Sequence, residues 1–314
     1  MKQLTCGIFH SFAGHWQLIA EELGLKTAWY YENFKKERQI LEHNRPDVYI
    51  IENSDQIKKE VDIIMGSPPC VGMSQANPKA CCEHPANEEM RIFAQKVREL
   101  KPEYFFMEMV PTLLQDRFKP IYQELMDNFN RNHKTVVKTF DFKDYGTPQA
   151  RERVLIYGCR SKYLLFPKPT GTSTIRDALD GLKNYSKEEA ISLNIAVEMK
   201  PHWKGPYSMF VNNPEYFNLE WDGVSKVITA LGSGYLRHPD GHRRITYREA
   251  ARFMEFPDDY DFSIHALSQI FRDIGWGVPI LGMARILRKL LDFNGKNDGS
   301  YERLYIKKSM EEFF

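Results

Sequence analysis

Three groups of residues have the chemistry of a covalent catalyst, and they follow one another along the chain. Cys70 lies in GSPPCVGMS, where two prolines stiffen the backbone directly before the thiol. Glu108 follows the apolar run YFFM, and Arg151 and Arg153 lie at the start of the apolar run VLIYG. A lone cysteine is most often a packing residue, and a lone Glu or Arg is most often a solvated surface charge. In this order and at strand ends, however, they favour a thiol nucleophile, a proton donor and stabilisers of negative charge.

The elements that must position these side chains are predicted from the hydrophobic pattern of the first 160 residues. Helices are predicted over residues 16–23, closed by Gly24, and over residues 88–100. Buried strands are predicted over residues 4–9, 27–31, 61–66 and 104–110 and in the segments VVKTFDF and RVLIYGC. This alternation predicts an α/β fold with a doubly wound, mostly parallel sheet. Such sheets bind ligands beyond the carboxyl ends of their strands, where Glu32, Cys70 and Glu108 are expected.

The pattern changes after Arg160. Residues 161–243 are rich in Pro, Gly, Asn, Lys and aromatic residues without sustained periodicity, which predicts a smaller, loop-rich domain. Regularity returns with Thr246 as a predicted N-cap and an amphipathic helix over residues 279–291. We therefore expect residues 1–160 and 244–314 to form one domain, with 161–243 as the second. The polar tail over residues 295–314 is expected to be loosely ordered.

Composition limits the partners that the chain can have. Lys and Arg total 43 against 42 for Asp and Glu, so contact with nucleic acid would need a local basic face. No signal peptide or bilayer-length apolar stretch is recognised, and a cytoplasmic protein with five free cysteines is expected, associated with the nucleoid in a bacterial or phage setting. The CCEH cluster at residues 81–84 is not expected to bind metal, because adjacent cysteines cannot easily point at one ion.

The motifs, taken in order, resemble those of the DNA cytosine-C5 methyltransferase family nearly end to end outside residues 161–243. The segment RRITYREAARFMEFPDDY is similar to the family's late RxLTxREAARLQGFPDDF, and IGWGVP is similar to its last motif. The family's Pro-Cys, ENV and QxRxR motifs are matched, respectively, by Pro69-Cys70 with Ser74, by Glu108-Met109-Val110, and by Gln149, Arg151 and Arg153. The resemblance implies a Rossmann-like methyltransferase fold, with residues 161–243 as the target-recognition domain.

On the cofactor side, the resemblance implies S-adenosylmethionine as the methyl donor. Glu32 is expected on the ribose hydroxyls and Asp55 near the adenine. The remaining residues expected around the donor are the glycine-loop residues Phe12, Ala13 and Gly14, together with Pro69, Trp276 and Val278.

On the target side, the resemblance implies that the Cys70 thiolate adds to C6 of a cytosine, which makes the otherwise unreactive C5 enamine-like. Glu108 is expected to protonate N3, and Arg153, supported by Arg151, to stabilise charge at O2. These ring atoms are inaccessible inside a duplex, so the base must be flipped out.

The expected partner is double-stranded DNA bound by a monomer, with a cognate restriction enzyme as a candidate second partner. Ser74, Gln149, Arg237 and Arg243 are expected to bind the substrate. Residues of the variable segment that suit phosphate and groove contacts are His202, Trp203, Lys204, Tyr235, Arg237, His238 and Arg243. Individually, each is more often part of an ordinary polar loop surface.

Four positions depart from the family pattern. His10 stands in place of an acidic residue, Trp16 in place of a loop glycine, and Met109 and Trp276 each in place of an asparagine. One interpretation is packing drift, and another is a donor pocket reshaped around Trp16 and Trp276 for a modified sulfonium donor. RNA as the substrate, and a nucleic-acid-binding relative without turnover, are the alternative functions. The complete set of Cys70, Glu108 and Arg153 argues against loss of catalysis.

Overall fold

A seven-stranded sheet forms the centre of the protein, whose computed structural model describes residues 3–74, 77–196, 218–229 and 236–302. The strands are β1 (Thr5–Phe9), β2 (Lys26–Tyr31), β3 (Ile50–Ile51), β4 (Ile63–Gly66), β5 (Tyr104–Met109), β6 (Lys134–Asp141) and β7 (Glu152–Cys159). Their order is β3-β2-β1-β4-β5-β7-β6, in which β7 runs antiparallel to both of its neighbours and the other pairs are parallel. The predicted doubly wound, mostly parallel sheet is confirmed.

Helices cover both faces of this sheet, which explains why the strands are apolar on both sides. In β1, Ile8 packs into a cluster with Leu287, whereas Phe9 packs into a second cluster with Phe93 and Leu125 on the opposite face. The helices are α1 (His15–Glu22), α2 (Lys35–Asn44), α3 (Glu88–Leu100), α4 (Lys119–Phe129), α5 (Ile175–Leu179), α6 (Lys187–Ser192), α7 (Tyr247–Phe253), α8 (Leu267–Trp276) and α9 (Ile280–Asp292).

Elements with strong local signals lie where the sequence places them. Helix α3 has the predicted bounds, and Gly24 follows α1 with a φ of 67°. Thr246 caps α7 in a reciprocal capping box, accepting from the Glu249 amide at 3.2 Å while Glu249 accepts from the Thr246 amide at 2.8 Å. Helix α2 was not predicted, because its mean composition is polar and it buries only Glu37, Ile40 and Leu41.

The tail expected to be loosely ordered is anchored to the fold at Tyr301, and its residues 303–314 lie outside the described residues. The Tyr301 ring is 7% exposed and lies 4.9 Å from the ring of Phe293, and its hydroxyl donates to the Lys289 carbonyl at 3.0 Å. A backbone bridge also joins Tyr301 to Pro167. Within the described ranges, none of the helices combines the length and the apolar character that crossing a bilayer requires.

The described part of the variable segment does not stand apart from the sheet. Leu164, Phe166, Ile175 and Leu179 belong to the same buried cluster as Ile8 of β1. The division at residue 160 remains a prediction, since most of 197–235 lies outside the described residues.

Candidate active site

The loop that carries Cys70 starts where the neighbouring strands β1 and β4 end. Gly66, the last residue of β4, lies so close to β1 that a Cβ atom there would be 1.9 Å from the Phe9 carbonyl oxygen. Two buried prolines then lead to Cys70, whose carbonyl accepts from the Met73 amide at 2.9 Å and closes a turn. The strand order reverses between β1 and β4, and such a switch point is where open α/β sheets bind ligands.

Glu108 and Arg153 form a partly desolvated ion pair beside this loop. β5 and β7 are antiparallel with Glu108 opposite Leu155, which places Arg153 just beyond the end of the paired region. The Arg153 Nε lies 2.7 Å from the Glu108 Oε1, and the two side chains are 13% and 7% exposed. A charge-assisted bond of this length orients both groups.

The surroundings of Cys70 keep its thiol protonated at neutral pH. Burial raises the pKa of Cys70, and the charge of Glu108 raises it further, whereas Arg153 and Arg151 lower it. The net pKa lies above the ordinary thiol value. Arg153 and Arg151 are therefore the groups around Cys70 that favour its thiolate form.

Arg151 and Gln149 lie close to these groups, but their side chains hold the fold together. The Arg151 guanidinium donates to the carbonyls of Ile228, Gly275 and Gly277 at 2.7, 3.0 and 2.6 Å. Gln149 accepts from the Ile228 amide at 2.9 Å and donates to the Phe253 carbonyl at 3.1 Å. Both side chains are at most 1% exposed, so the expected contacts with a target base are not supported by their geometry. They tie the start of β7 to the segment around 228 and to the loop before α9.

The loop between β1 and α1 contains the residues expected to hold the donor. Gly14 adopts a φ of 83°, and a Cβ atom there would lie 2.8 Å from the Tyr260 hydroxyl, which itself donates to the Ala13 carbonyl at 2.6 Å. The Phe12 ring lies 5.7 Å from the ring of Trp276, the last residue of α8. Trp276 is 41% exposed, so one side of this aromatic pair remains open to a ligand.

Glu32, directly after β2, is a fully buried carboxylate with one oxygen available. Its Oε1 accepts from the Phe34 amide at 3.2 Å and lies 3.1 Å from the His10 Nδ1. Its Oε2 has no hydrogen-bond partner among the described residues. A buried, unsatisfied acceptor fits a ligand that brings hydroxyl donors, as a ribose does. The residues present therefore fit a nucleoside cofactor.

Three further residues were expected around the donor, namely Val278, Pro69 and Asp55. Val278 is fully buried, and Pro69 is buried within the Cys70 loop. Asp55 is exposed in a short 3-10 turn after β3, with its amide bound to the Asn53 side chain at 2.9 Å. Its expected place near an adenine stays a prediction.

Trp16 does not face the donor site, so that part of the sequence-based hypothesis is wrong. Its side chain is fully buried in the cluster that contains Ile8, and its Nε1 donates to the Ser67 Oγ at 2.8 Å. Met109 is likewise buried in the opposite cluster. Both departures from the family pattern are packing residues.

Arg243, which was expected to contact a nucleic acid, is instead buried in an ion pair with Glu249. Its guanidinium donates to both oxygens of Glu249 at 2.7 and 2.9 Å, and its exposed fraction is 2%. His238 is equally buried, whereas Arg237 is half-buried. Ser74 lies in the turn after Cys70 and accepts from the Asn77 amide at 3.0 Å through its carbonyl. His202, Trp203, Lys204 and Tyr235 lie outside the described residues.

Sequence reasoning missed His15 as a residue that shapes the site. Its ring lies between the carbonyls of Ser11 and Ile274, at 3.1 and 3.2 Å, and burial lowers its pKa to about 4. A Cβ atom at Gly277 would lie 2.3 Å from this ring. The His15 ring thus packs between the loop of Phe12 and the end of α8, and no local pattern in the sequence signals it.

The chain is similar in sequence to cytosine-specific DNA methylases and type II methyltransferases. Residues 9–292 match the family model of the C-5 cytosine-specific DNA methylases. The chain is 26% identical to the type II methyltransferase M.MthTI of Methanothermobacter thermautotrophicus, covering 84% of this chain and 87% of that protein. It is also 26% identical to M.NgoFVII of Neisseria gonorrhoeae, over 90% and 82% of the two chains.

Solved structures share the fold. A prophage-encoded E. coli protein, assigned as a DNA modification methyltransferase, superimposes with a TM-score of 0.72 at 20% identity, over 94% of this chain and all of that one. The Entamoeba histolytica methyltransferase EhMeth gives a TM-score of 0.68 at 15% identity, over 93% and 99% of the two chains.

Proposed function

Because the chain belongs to the family of C-5 cytosine-specific DNA methylases, we propose that it methylates C5 of a flipped-out cytosine in double-stranded DNA. Family membership confirms the methyltransferase class and the fold predicted from the sequence. The observation that carries the finer proposal is the Glu108–Arg153 pair at 2.7 Å, close enough to Cys70 for both charges to act on the thiol.

Cys70 is the proposed nucleophile. Its sulfur forms a bond to C6 of the target ring, and the electron pair displaced from the C5–C6 double bond makes C5 reactive. The stiff Pro-Pro turn holds the sulfur at the carboxyl end of β4, so little conformational freedom is lost on attack. The raised pKa of Cys70 prevents wasteful reactions of a free thiolate before the base arrives.

Glu108 and Arg153 act on the opposite edge of the ring. The Glu108 carboxylate takes up the proton that the Cys70 thiol loses as its sulfur adds to C6, and gives a proton to N3, which removes the negative charge that addition would otherwise build. Arg153 keeps the carboxyl group oriented through its Nε and stabilises charge at O2. Once C5 carries the methyl group, N3 returns its proton to Glu108, the C5 proton passes to water, and elimination of the Cys70 thiolate restores the aromatic ring.

S-adenosylmethionine supplies an electrophilic methyl group when it is bound. Glu32 would accept from its ribose hydroxyls through Oε2, and Phe12 and Trp276 would hold its adenine between the loop and α8. Arg151, through its three carbonyl partners, keeps the segment between α8 and α9 against β7, where the donor and target sites adjoin. We therefore assign Arg151 and Gln149 as positioning residues.

The DNA-contacting surface is proposed to include the variable segment over residues 161–243. Half-buried Arg237 fits such a contact, whereas the Glu249-paired Arg243 supports the base of the segment. A monomer acting in the cytoplasm, with or without a cognate restriction enzyme, remains the expected setting.

Transfer of a radiolabelled methyl group tests this function directly. The purified protein is incubated with labelled S-adenosylmethionine and either duplex DNA or tRNA, with Cys70→Ala as the matched control. We expect label in DNA alone and none with the variant. Label in tRNA alone would mean that the substrate is RNA and that the chemistry is the same. DNA binding that does not need the cofactor, without methyl transfer, would indicate a non-catalytic relative. Bisulfite sequencing of DNA from expressing cells then identifies the methylated sequence.

A further inference from the structure

A buried histidine sits between two carboxylates at the donor site. The His10 ring is fully buried, with Nδ1 at 3.1 Å from the Glu32 Oε1 and Nε2 at 2.9 Å from the Glu89 Oε2. His10 follows β1 directly and adopts a φ of 45°, which is rare for a residue with a side chain. Glu89, in the first turn of α3, also accepts from Asn33 at 2.6 Å.

We propose that His10 is a positioning residue for the methyl donor, which fixes one oxygen of Glu32 and thereby presents the other to the ribose hydroxyls. This inference rests on the proposed function. Oε1 of Glu32 is held by His10 and by the Phe34 amide, while Oε2 stays buried without a described partner. The direction of the available acceptor is therefore set by the histidine.

The arrangement requires an imidazolium. Both ring nitrogens face carboxylate oxygens, and only the charged form donates from both at once. Burial opposes this charge, but Glu32 and Glu89 outweigh burial and raise the pKa of His10 to about 9. Three aromatic rings of the described residues also lie near the imidazole, namely Tyr31 at 5.0 Å, Phe34 at 5.9 Å and Phe9 at 6.5 Å between ring centroids. Tyr31 also donates to Glu89 at 3.2 Å.

The pairing also bears on the nature of the donor. The charge of His10 lies between two carboxylates, so it is poorly placed to attract an added anionic group on a modified sulfonium compound. Unmodified S-adenosylmethionine, whose ribose brings only hydroxyl donors to Glu32, suits the site better.

The test measures binding of S-adenosylhomocysteine by calorimetry between about pH 7 and about pH 10, a range that spans the His10 titration. Because the pKa of His10 is raised to about 9, the ring is charged near neutrality and holds Glu32 in place. This hold is lost, and the affinity for the ligand falls, as pH rises through about 9. His10→Asn should bind about ten- to a hundredfold more weakly near neutrality, the usual worth of a charge-assisted hydrogen bond. The part of the pH dependence that comes from His10 should be absent from this variant. Titration of the ligand's amino group affects both proteins equally, so it does not obscure the comparison.

Glu89→Gln separates positioning from simple structural support. The amide oxygen can still accept from His10, but the negative charge is gone, so the midpoint of the pH dependence should move to lower pH. Affinity near neutrality should stay within about threefold of the wild type, since Glu89 acts on Glu32 through the His10 ring, which stays protonated there. A purely structural role of His10 would not move this midpoint.

The outcomes are distinguishable. Binding by the wild type with the same pH profile as His10→Asn, or an unmoved midpoint in Glu89→Gln, overturns this inference alone. Failure of the wild type to bind S-adenosylhomocysteine overturns the proposed function and this inference with it. Where His10→Asn does not fold, the NMR titration of the His10 ring in the wild type decides, because a midpoint near or below the ordinary histidine value contradicts the imidazolium bridge.

Discussion

Removing the carboxyl group of Glu108 gives the sharpest test of how the target base is activated. Glu108→Gln keeps the shape of the side chain but abolishes its charge and its acidic proton. Loss of a positioned proton donor typically slows a reaction by two to four orders of magnitude, or about 3–5 kcal/mol in the activation free energy. We expect a loss in this range for the single-turnover rate of methyl transfer.

The ion pair also predicts the effect of replacing Arg153, alone and together with Glu108. At 2.7 Å and an effective dielectric constant of about 20, the Glu108 and Arg153 charges attract by about 6 kcal/mol, much of which desolvation offsets. Arg153→Met should therefore be nearly as harmful as Glu108→Gln, because it leaves the carboxylate unpaired and unoriented. The double variant should lie within about tenfold of the slower single variant, since the two residues act as one unit.

Single-turnover transfer to saturating duplex DNA measures all four proteins, with DNA binding and thermal unfolding as controls for target affinity and fold. An unchanged rate in Glu108→Gln would refute the proton-donor role. Multiplicative losses in the double variant would show that the two side chains act independently, contrary to their contact.

The remaining predictions concern the nucleophile, the donor site and the core. Cys70→Ala should abolish transfer and the covalent adduct with DNA that carries 5-fluorocytosine at the target, while DNA binding measured by fluorescence anisotropy survives. Since burial first and Glu108 second raise the pKa of Cys70, alkylation of this thiol in the free enzyme should keep accelerating as pH rises beyond about 9, as followed by mass spectrometry; a plateau near neutrality would contradict this. Donor binding should quench the tryptophan fluorescence of the wild type, and Trp276→Asn should weaken cofactor binding and remove this quenching, because its half-exposed ring adjoins Phe12; unchanged binding and quenching would place the donor elsewhere. Trp16→Gly should instead lower the free energy of unfolding by about 3–5 kcal/mol in urea titrations, because its buried ring leaves a cavity; an unchanged stability would mean that the indole is not core.

Most of the fold was predictable because it depends on short-range patterns. A strand buried on both faces needs a continuous apolar run, and the runs at residues 4–9, 61–66 and 104–110 all lie in the sheet. The capping box of α7 is formed by Thr246 and Glu249, three residues apart. The motif residues Cys70, Glu108 and Arg153 could be found for the same reason, since each is tied to the end of one such run.

The partners of polar side chains depended on the tertiary structure. Gln149 and Arg151 precede β7, which begins at Glu152, so the alternation of the strand does not govern their direction. Arg151 instead meets carbonyls 77, 124 and 126 residues away along the chain. The spacing that made it resemble a base-binding residue therefore carried no information about its contacts.

The same limit applies around the donor. The sequence singles out His10 and Trp16 as unusual but cannot say which way either side chain points. In the folded protein, His10 meets Glu89, which is 79 residues away, and Trp16 meets Ser67, which is 51 residues away. Local patterns determine which elements form, because they reflect the burial of one segment's own faces. A buried charge or indole finds its partner only when distant loops close over it, and that packing decides whether an unusual residue serves the site or the core.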